Sequence, residues 1–375
     1  MGYRGEGTNP LGFSSFFDLF DDTDWEEVRS VAKLAEDLKS SLGPKERKLL
    51  PTYRSQRKLI SVSVDGGSQV LFPFIRELSV GLIRVSAASD DMTEALDPLV
   101  LPIKNYELFP VRKDDEGKKS QNKANLKGFF IKLFAENKTL KEFSAATGIT
   151  PVDIGDYAAK DHQALTGVVR DLLEWAYIVG VVMRFQGIKV LIVRDGRLEQ
   201  HGMPGTFLSK LKAFFEAKHA YVVGVVKGTK LLREGVPIWV IADWVGESEG
   251  RFYFKVPREL MEYVYGFEKQ WDPAFDHSYV FGNRYVTKLF DQSFNPLESV
   301  ITFDVPDYIV KDQEVEDIVA TLHACRSVLF GGTLGIVSEA HQLASVSSGI
   351  TRQLEDTFES KSGVKLPFRR WGLVE

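Results

Sequence analysis

The stretch LISVSVDGGSQ (59–69) alternates apolar and small polar residues and then meets Asp65, Gly66 and Gly67. A period of two predicts a strand with Ile60, Val62 and Val64 on one face. Asp-Gly is a common turn pair, so a turn is expected to end the strand at Asp65. A carboxylate at a strand end also suits a metal site, and the rest of the chain has to decide between the two readings.

The arrangement recurs further on. KVLIVRDG (189–196) is a near-continuous apolar run, the pattern of a strand covered on both faces, and it too ends in Asp-Gly, at Asp195. If the two strands are neighbours in one sheet, Asp65 and Asp195 converge at one edge. Paired carboxylates repel unless a cation lies between them, and hard oxygen ligands suit Mg²⁺ or Mn²⁺.

QALTGVVRDLLEWAYIVG (163–180) precedes the second of these strands. It predicts a helix with Leu165, Val168, Val169, Leu172, Leu173 and Ala176 along a core face. Glu174 borders that face, where a rim position is expected, and is the third candidate ligand. The run LLEWAYIVGVVMRF (172–185) is too short to span a bilayer and reads as a buried helix passing into a strand. After a helix over 204–220, YVVGVVKGTKLL (221–232) is another buried strand, interrupted by Lys227. Lysine is rarely fully buried unless paired, so Lys227 either leaves the strand end for solvent or points at the metal site or a substrate phosphate.

The flanks complete a mixed α/β pattern. Residues 22–41 have helical spacing. QVLFPFIRELSVGLIRVSAAS (69–89) reads as two strands broken near Pro73 and Glu77, and with 59–65 it suggests an antiparallel meander. Strand-like pieces follow at 236–245, 250–257 and 299–309, with helices at 312–330 and 336–358. Strands first, then alternating helices and strands, point to a mixed central sheet with helices on its faces.

Residues 90–160 are less regular. Seven lysines and one acid, Glu136, lie between Lys118 and Lys141, with Phe129, Phe130 and Phe134 among them. A helix with a solvated face explains this. An inserted arm touching a polyanion through Lys118, Lys119, Lys123 and Lys127 also explains it, since lysines neutralise phosphates without reading bases. Residues 139–160 read as two short helices about a turn, which leaves a helix-turn-helix DNA reader open.

The 375 residues are 44% hydrophobic and 26% charged, as in an ordinary globular protein. A net charge of −5 makes any nucleic-acid site a local patch. The single Cys325 excludes an intramolecular disulfide framework and fits a reducing cytoplasm. The first twenty residues lack a charged start followed by an apolar core, so no secretory signal is expected, and no apolar stretch is long enough for a membrane span. GGTLG (331–335) lacks the P-loop pattern, and no GxSxG or zinc spacing occurs.

Taken in order, SVDGGS (63–68), LLEWA (172–176), LIVRDGRL (191–198), VVGVVKGTKLL (222–232) and EAHQLA (339–344) resemble the NurA nuclease family. The resemblance runs from about residue 58 to 350. It implies an RNase H-like mixed sheet flanked by helices. The expected division is an N-terminal helical region (1–57), a nuclease domain (58–350) with an insertion at about 90–160 that the family pattern does not cover, and a C-terminal tail (351–375). The resemblance also implies a Mn²⁺- or Mg²⁺-dependent deoxyribonuclease acting at DNA ends, with two ions. The expected setting is the cytoplasm, as a homodimer working with a HerA-type hexameric ATPase in end processing or defence against foreign DNA. By motif position, Asp65, Glu174 and Asp195 match the metal-binding carboxylates, Lys227 the strand lysine and His341 the late histidine. The stretch before His341, FGGTLGIVSEAH, carries neither the Tyr nor the Pro common in the family. The rival reading is a non-catalytic DNA-binding scaffold or regulator of a motor ATPase.

Overall fold

The structure is a computed structural model. It describes residues 22–42, 48–49, 59–71, 79–89, 93–95, 99–103, 108, 115–154, 161–185, 187–198, 205–226, 235–246, 252–261, 282–290, 300–327, 333–346 and 348–363. In chain order the elements are α1 (Asp22–Leu42), β1 (Lys48–Leu49), β2 (Ile60–Leu71), β3 (Ser79–Ser89), β4 (Thr93–Ala95), β5 (Leu99–Ile103), α2 (Asp115–Glu136), α3 (Lys138–Thr147) and α4 (Pro151–Ile154). There follow α5 (His162–Arg184), β6 (Val190–Asp195), α6 (Gly205–Ala217), β7 (Tyr221–Val226), α7 (Gly235–Gly246), β8 (Phe252–Lys255), β9 (Gly282–Lys288) and β10 (Val300–Pro306). The last are α8 (Asp312–Ala324), β11 (Arg326–Ser327), β12 (Thr333–Leu334), α9 (Gly335–Ala344) and α10 (Ser348–Ser362).

One mixed sheet dominates, with strand order β1-β8-β9-β10-β7-β6-β2-β3-β4 and β5 also pairing with β3. The hairpin β2–β3 is antiparallel, as are β3–β4 and β3–β5, whereas β2–β6 and β6–β7 are parallel. An antiparallel meander joined through its first strand to two parallel strands is the RNase H-like arrangement. The outer strands β10, β9, β8 and β1 extend it, all antiparallel.

Alternation along each central strand splits the core into two layers. Val62, Val64, Val190 and Ile192 pack under α5, α3, α2 and α6. Leu191, Val193, Val223 and Val225 pack under α8 and α9 with Ile318, Val319, Leu322 and Val337. Burial on both faces is why β6 reads as an unbroken apolar run. A third cluster seats Ala35 and Leu38 of α1 on Val240, Ile241, Trp244 and Val245 of α7, against Phe252 and Phe254 of β8.

Several sequence expectations change. The strand does not turn at Asp65: β2 continues through both glycines to Leu71, still paired with β3. The glycines are there for clearance, because a Cβ at Gly66 would lie 2.5 Å from Oε1 of Glu174. At Gly67 it would lie 2.9 Å from the carbonyl carbon of Ala344 and closer still to its oxygen. Two helices thus press on β2 from opposite faces at adjacent residues. Residues 236–245 are helical, not a strand. They are too apolar all round for a period to show, yet Val240, Ile241, Trp244 and Val245 form one buried helical face. Helix α5 runs to Arg184, where Phe185 N–H bonds Val181 O, so 172–185 contains no strand. The helix expected over 336–358 is two, α9 and α10, parted at Ser345, which is extended. Cys325 caps α8 rather than sitting inside it.

β1, within 1–57, pairs with β8 of the central sheet. Among the described residues of 90–160, β4 and β5 extend β3, and Leu126, Phe130, Leu133 and Phe134 of α2 pack into the α5 layer. Beyond 350, α10 lays Leu354 and Phe358 against Leu71 and Val80. No helix of the described residues is long and apolar enough to cross a membrane.

Candidate metal centre

Register brings the two aspartates together. β2 and β6 run parallel with Ile60 opposite Val190 and Val64 opposite Arg194. One residue further places Asp65 beside Asp195, at the C-terminal end of β6. Both belong to the odd-numbered face, which looks toward α9. That helix is fixed there by Ser86 Oγ, which donates to Ala340 O at 2.6 Å, and by the close approach of Ala344 to Gly67. One turn of α9 carries His341 over the pair.

The result is a compact ligand set. One oxygen each of Asp65 and Asp195 and one ring nitrogen of His341 lie within 4.8 Å of one another. His341 Nδ1 is 2.7 Å from Asp65 Oδ2, and the other Asp65 oxygen accepts the Gly66 N–H at 2.7 Å. Asp65 is buried, Asp195 half-buried, and the His341 side chain 63% exposed, so the group opens to solvent on the histidine side. Burial, and then the charge of Asp195, raise the Asp65 carboxyl above its ordinary range. His341 and the Gly66 amide pull it back. Two carboxylates brought together at that cost call for a cation. Ligands bonded at about 2.1 Å can stand at most about 4.2 Å apart across one ion, so a sub-ångström contraction closes this group. Oxygen, oxygen and imidazole donors fit a divalent ion such as Mn²⁺.

Glu174 is not in this group. Its helix covers the even-numbered face of β2, so it comes to Gly66 from the side opposite the Asp65 carboxylate. Nor is it at a rim: it is 2% exposed. Arg194 Nη2 donates to its Oε2 at 2.6 Å, and Arg170 Nε lies 3.4 Å from its Oε1. Burial pushes its carboxyl up to about 8, with Arg194 pulling the other way. Arg194 is itself buried over the Trp175 ring, 5.0 Å from its centroid, and also donates to Arg197 O. The loop leaving Asp195 is pinned further by Gly196 N–H to Val225 O (2.8 Å) and Leu198 N–H to Asp304 Oδ2 (3.3 Å). Arg284 holds Asp304 with two donors at 2.7 and 3.0 Å.

Lys227 lies outside the described residues. Lys118, Lys119 and Lys123 fall within α2, but their side chains are also outside the description, while Lys127 is exposed. Arg194, Arg170 and Asp304 were missed in the sequence. The available signals were a charge inside the apolar run LIVRDG and the i,i+4 spacing of Arg170 and Glu174.

No protein-family model and no curated protein matches the chain. Among solved structures it is similar to the NurA nuclease from Sulfolobus solfataricus at 12% identity, over 95% of this chain and 98% of that one, with a TM-score of 0.44. It is also similar to a NurA crystallised with manganese, at 11% identity over 89% and 98%, with a TM-score of 0.38. A third likeness is to endonuclease V from Ciona intestinalis, at 10% identity over 90% and 100%, with a TM-score of 0.29.

Proposed function

We propose that the chain is a divalent-metal-dependent deoxyribonuclease that hydrolyses phosphodiester bonds at DNA ends. The observation that carries this is the in-register convergence of Asp65 and Asp195 beneath His341, at the end of the parallel strands of an RNase H-like sheet. A divalent ion there, when bound, lowers the pKa of a water and neutralises charge building on the phosphate. The residues' own parts are simpler. Asp65 and Asp195 hold the ion. His341, oriented through Nδ1 by Asp65, offers Nε2 to an ion or a water. Glu174 anchors Arg194 and Arg170 behind the strand, and completes the shell of a second ion only by leaving Arg170. Lys227 is assigned to the phosphate by motif position.

With a net charge of −5, DNA must be gripped by local cations through its backbone, so sequence preference is slight. A homodimer would assemble such a channel from two copies, and a HerA-type ring ATPase would feed it DNA. The competing reading, a DNA-binding scaffold of such a motor, is not favoured by an intact ligand set. The test is incubation of linear duplex and single-stranded DNA with Mn²⁺ or with EDTA, with and without a ring ATPase of that type. Degradation in Mn²⁺ alone, abolished by EDTA, is expected. Binding without cleavage under every condition would favour the scaffold.

A further inference from the structure

We infer that Arg170 is a phosphate-binding residue, held ready by Asp171 and Glu174 on the α5 side of β2 to receive the DNA backbone across the strand from the metal ligands. The inference rests on the nuclease reading. Arg170 lies one turn before Glu174 on α5, and its side chain runs over Gly66: a Cβ there would meet its Cγ at 2.9 Å. That makes it a neighbour of Asp65 across a strand thinned to bare backbone.

The guanidinium is oriented on one side. Nε and Nη2 both donate to Asp171 Oδ1, at 3.0 and 2.7 Å, and Glu174 Oε1 is 3.4 Å from Nε. Guanidinium carries five N–H donors. These contacts leave Nη1 without a partner among the described residues. The contrast with Arg194 is informative. Arg194 is 3% exposed and serves only the interior, whereas Arg170 is 35% exposed. Burial opposes its charge, but Asp171, Glu174 and Asp65 outweigh that and keep it cationic. The carboxylates Asp65 and Asp195 on one face of the sheet, with Asp171 on the α5 side, repel a polyanion. A preoriented, half-open guanidinium across the bare strand supplies the compensating charge and the planar fork that matches phosphate. Both acids that hold it lie on the same helix, so its aim does not depend on a bound ion.

The experiment uses the full chain with Arg170→Gln and Arg170→Lys. DNA binding is measured in EDTA, without turnover, across a salt series, and Mn²⁺ affinity and cleavage are measured separately. For Gln, the slope of log affinity against log salt is expected to fall by about one phosphate contact, near 0.9 for duplex, with Mn²⁺ affinity within twofold of wild type. The Lys variant retains the charge that Asp171 and Glu174 need, so it folds even if the Gln variant does not. It is expected to keep the slope but lose at least tenfold in kcat/KM, because a point charge lacks the fork. An unchanged slope in Gln, or wild-type kcat/KM in Lys, overturns the inference. A wild type that binds DNA in EDTA yet neither binds Mn²⁺ nor cleaves overturns the nuclease reading, while the slope comparison still decides Arg170. A wild type that does not bind DNA overturns both.

Discussion

Asp65→Asn and Asp195→Asn each reduce Mn²⁺-dependent DNA cleavage by at least about 10³-fold, a loss of roughly 4 kcal/mol of transition-state stabilisation. Asn keeps the size and one oxygen but loses the charge, so the backbone register that pairs the two strands survives. Stability makes the result specific. In the metal-free protein burial, and then the charge of Asp195, disfavour the ionised Asp65 carboxylate. The Asp65→Asn variant is therefore expected to unfold no earlier than wild type without metal. Wild type is expected to be stabilised by Mn²⁺, by about 2.7 kcal/mol at a hundredfold excess over Kd, and the variants to lose most of that gain. Thermal melts with and without Mn²⁺, alongside cleavage assays, check both halves. A variant that cleaves at the wild-type rate would remove that residue from the centre.

Gly67→Ala is the most damaging single methyl group on β2. The added Cβ would overlap the Ala344 carbonyl of α9, and a backbone group cannot rotate aside as a side chain can. The helix has to lift, taking His341 off Asp65 and straining the Ser86 bond to Ala340. A loss on the order of 3 kcal/mol is expected, with cleavage lost as well. Gly66→Ala is the control. Its neighbours are the side chains of Glu174 and Arg170 rather than backbone, so it disturbs the arginine pairs and leaves α9 seated. Urea unfolding of the two variants measures the difference. Equal, small losses would mean that α9 does not bear on β2 at Gly67.

Both of these effects come from residues the sequence shows plainly but explains ambiguously. The period of two at 59–65 and the apolar run at 190–195 made the two central strands legible, and a carboxylate at the end of each suggested the pair. What local pattern does not contain is register. A slip of one residue would turn Asp195 to the α5 face and bring Arg194 to the α9 side. Gly66 and Gly67 read as a turn because Asp-Gly usually is one. The alternative, two helices crowding a continuous strand, depends on residues 174 and 344, more than a hundred positions away. Glu174 was recognisable as unusual, but which face of β2 it reaches follows from packing. The strand reading of 236–245 failed for a different reason: a segment apolar all round has no period to read.

The most direct test of the central claim is the position of Mn²⁺ in crystals of the protein, located by anomalous scattering. The account predicts a peak about 2.1 Å from a carboxylate oxygen of Asp65 and of Asp195, with a His341 nitrogen in or beside the shell. Saturating Mn²⁺ that leaves these three side chains without a peak, or that binds only elsewhere, would contradict it.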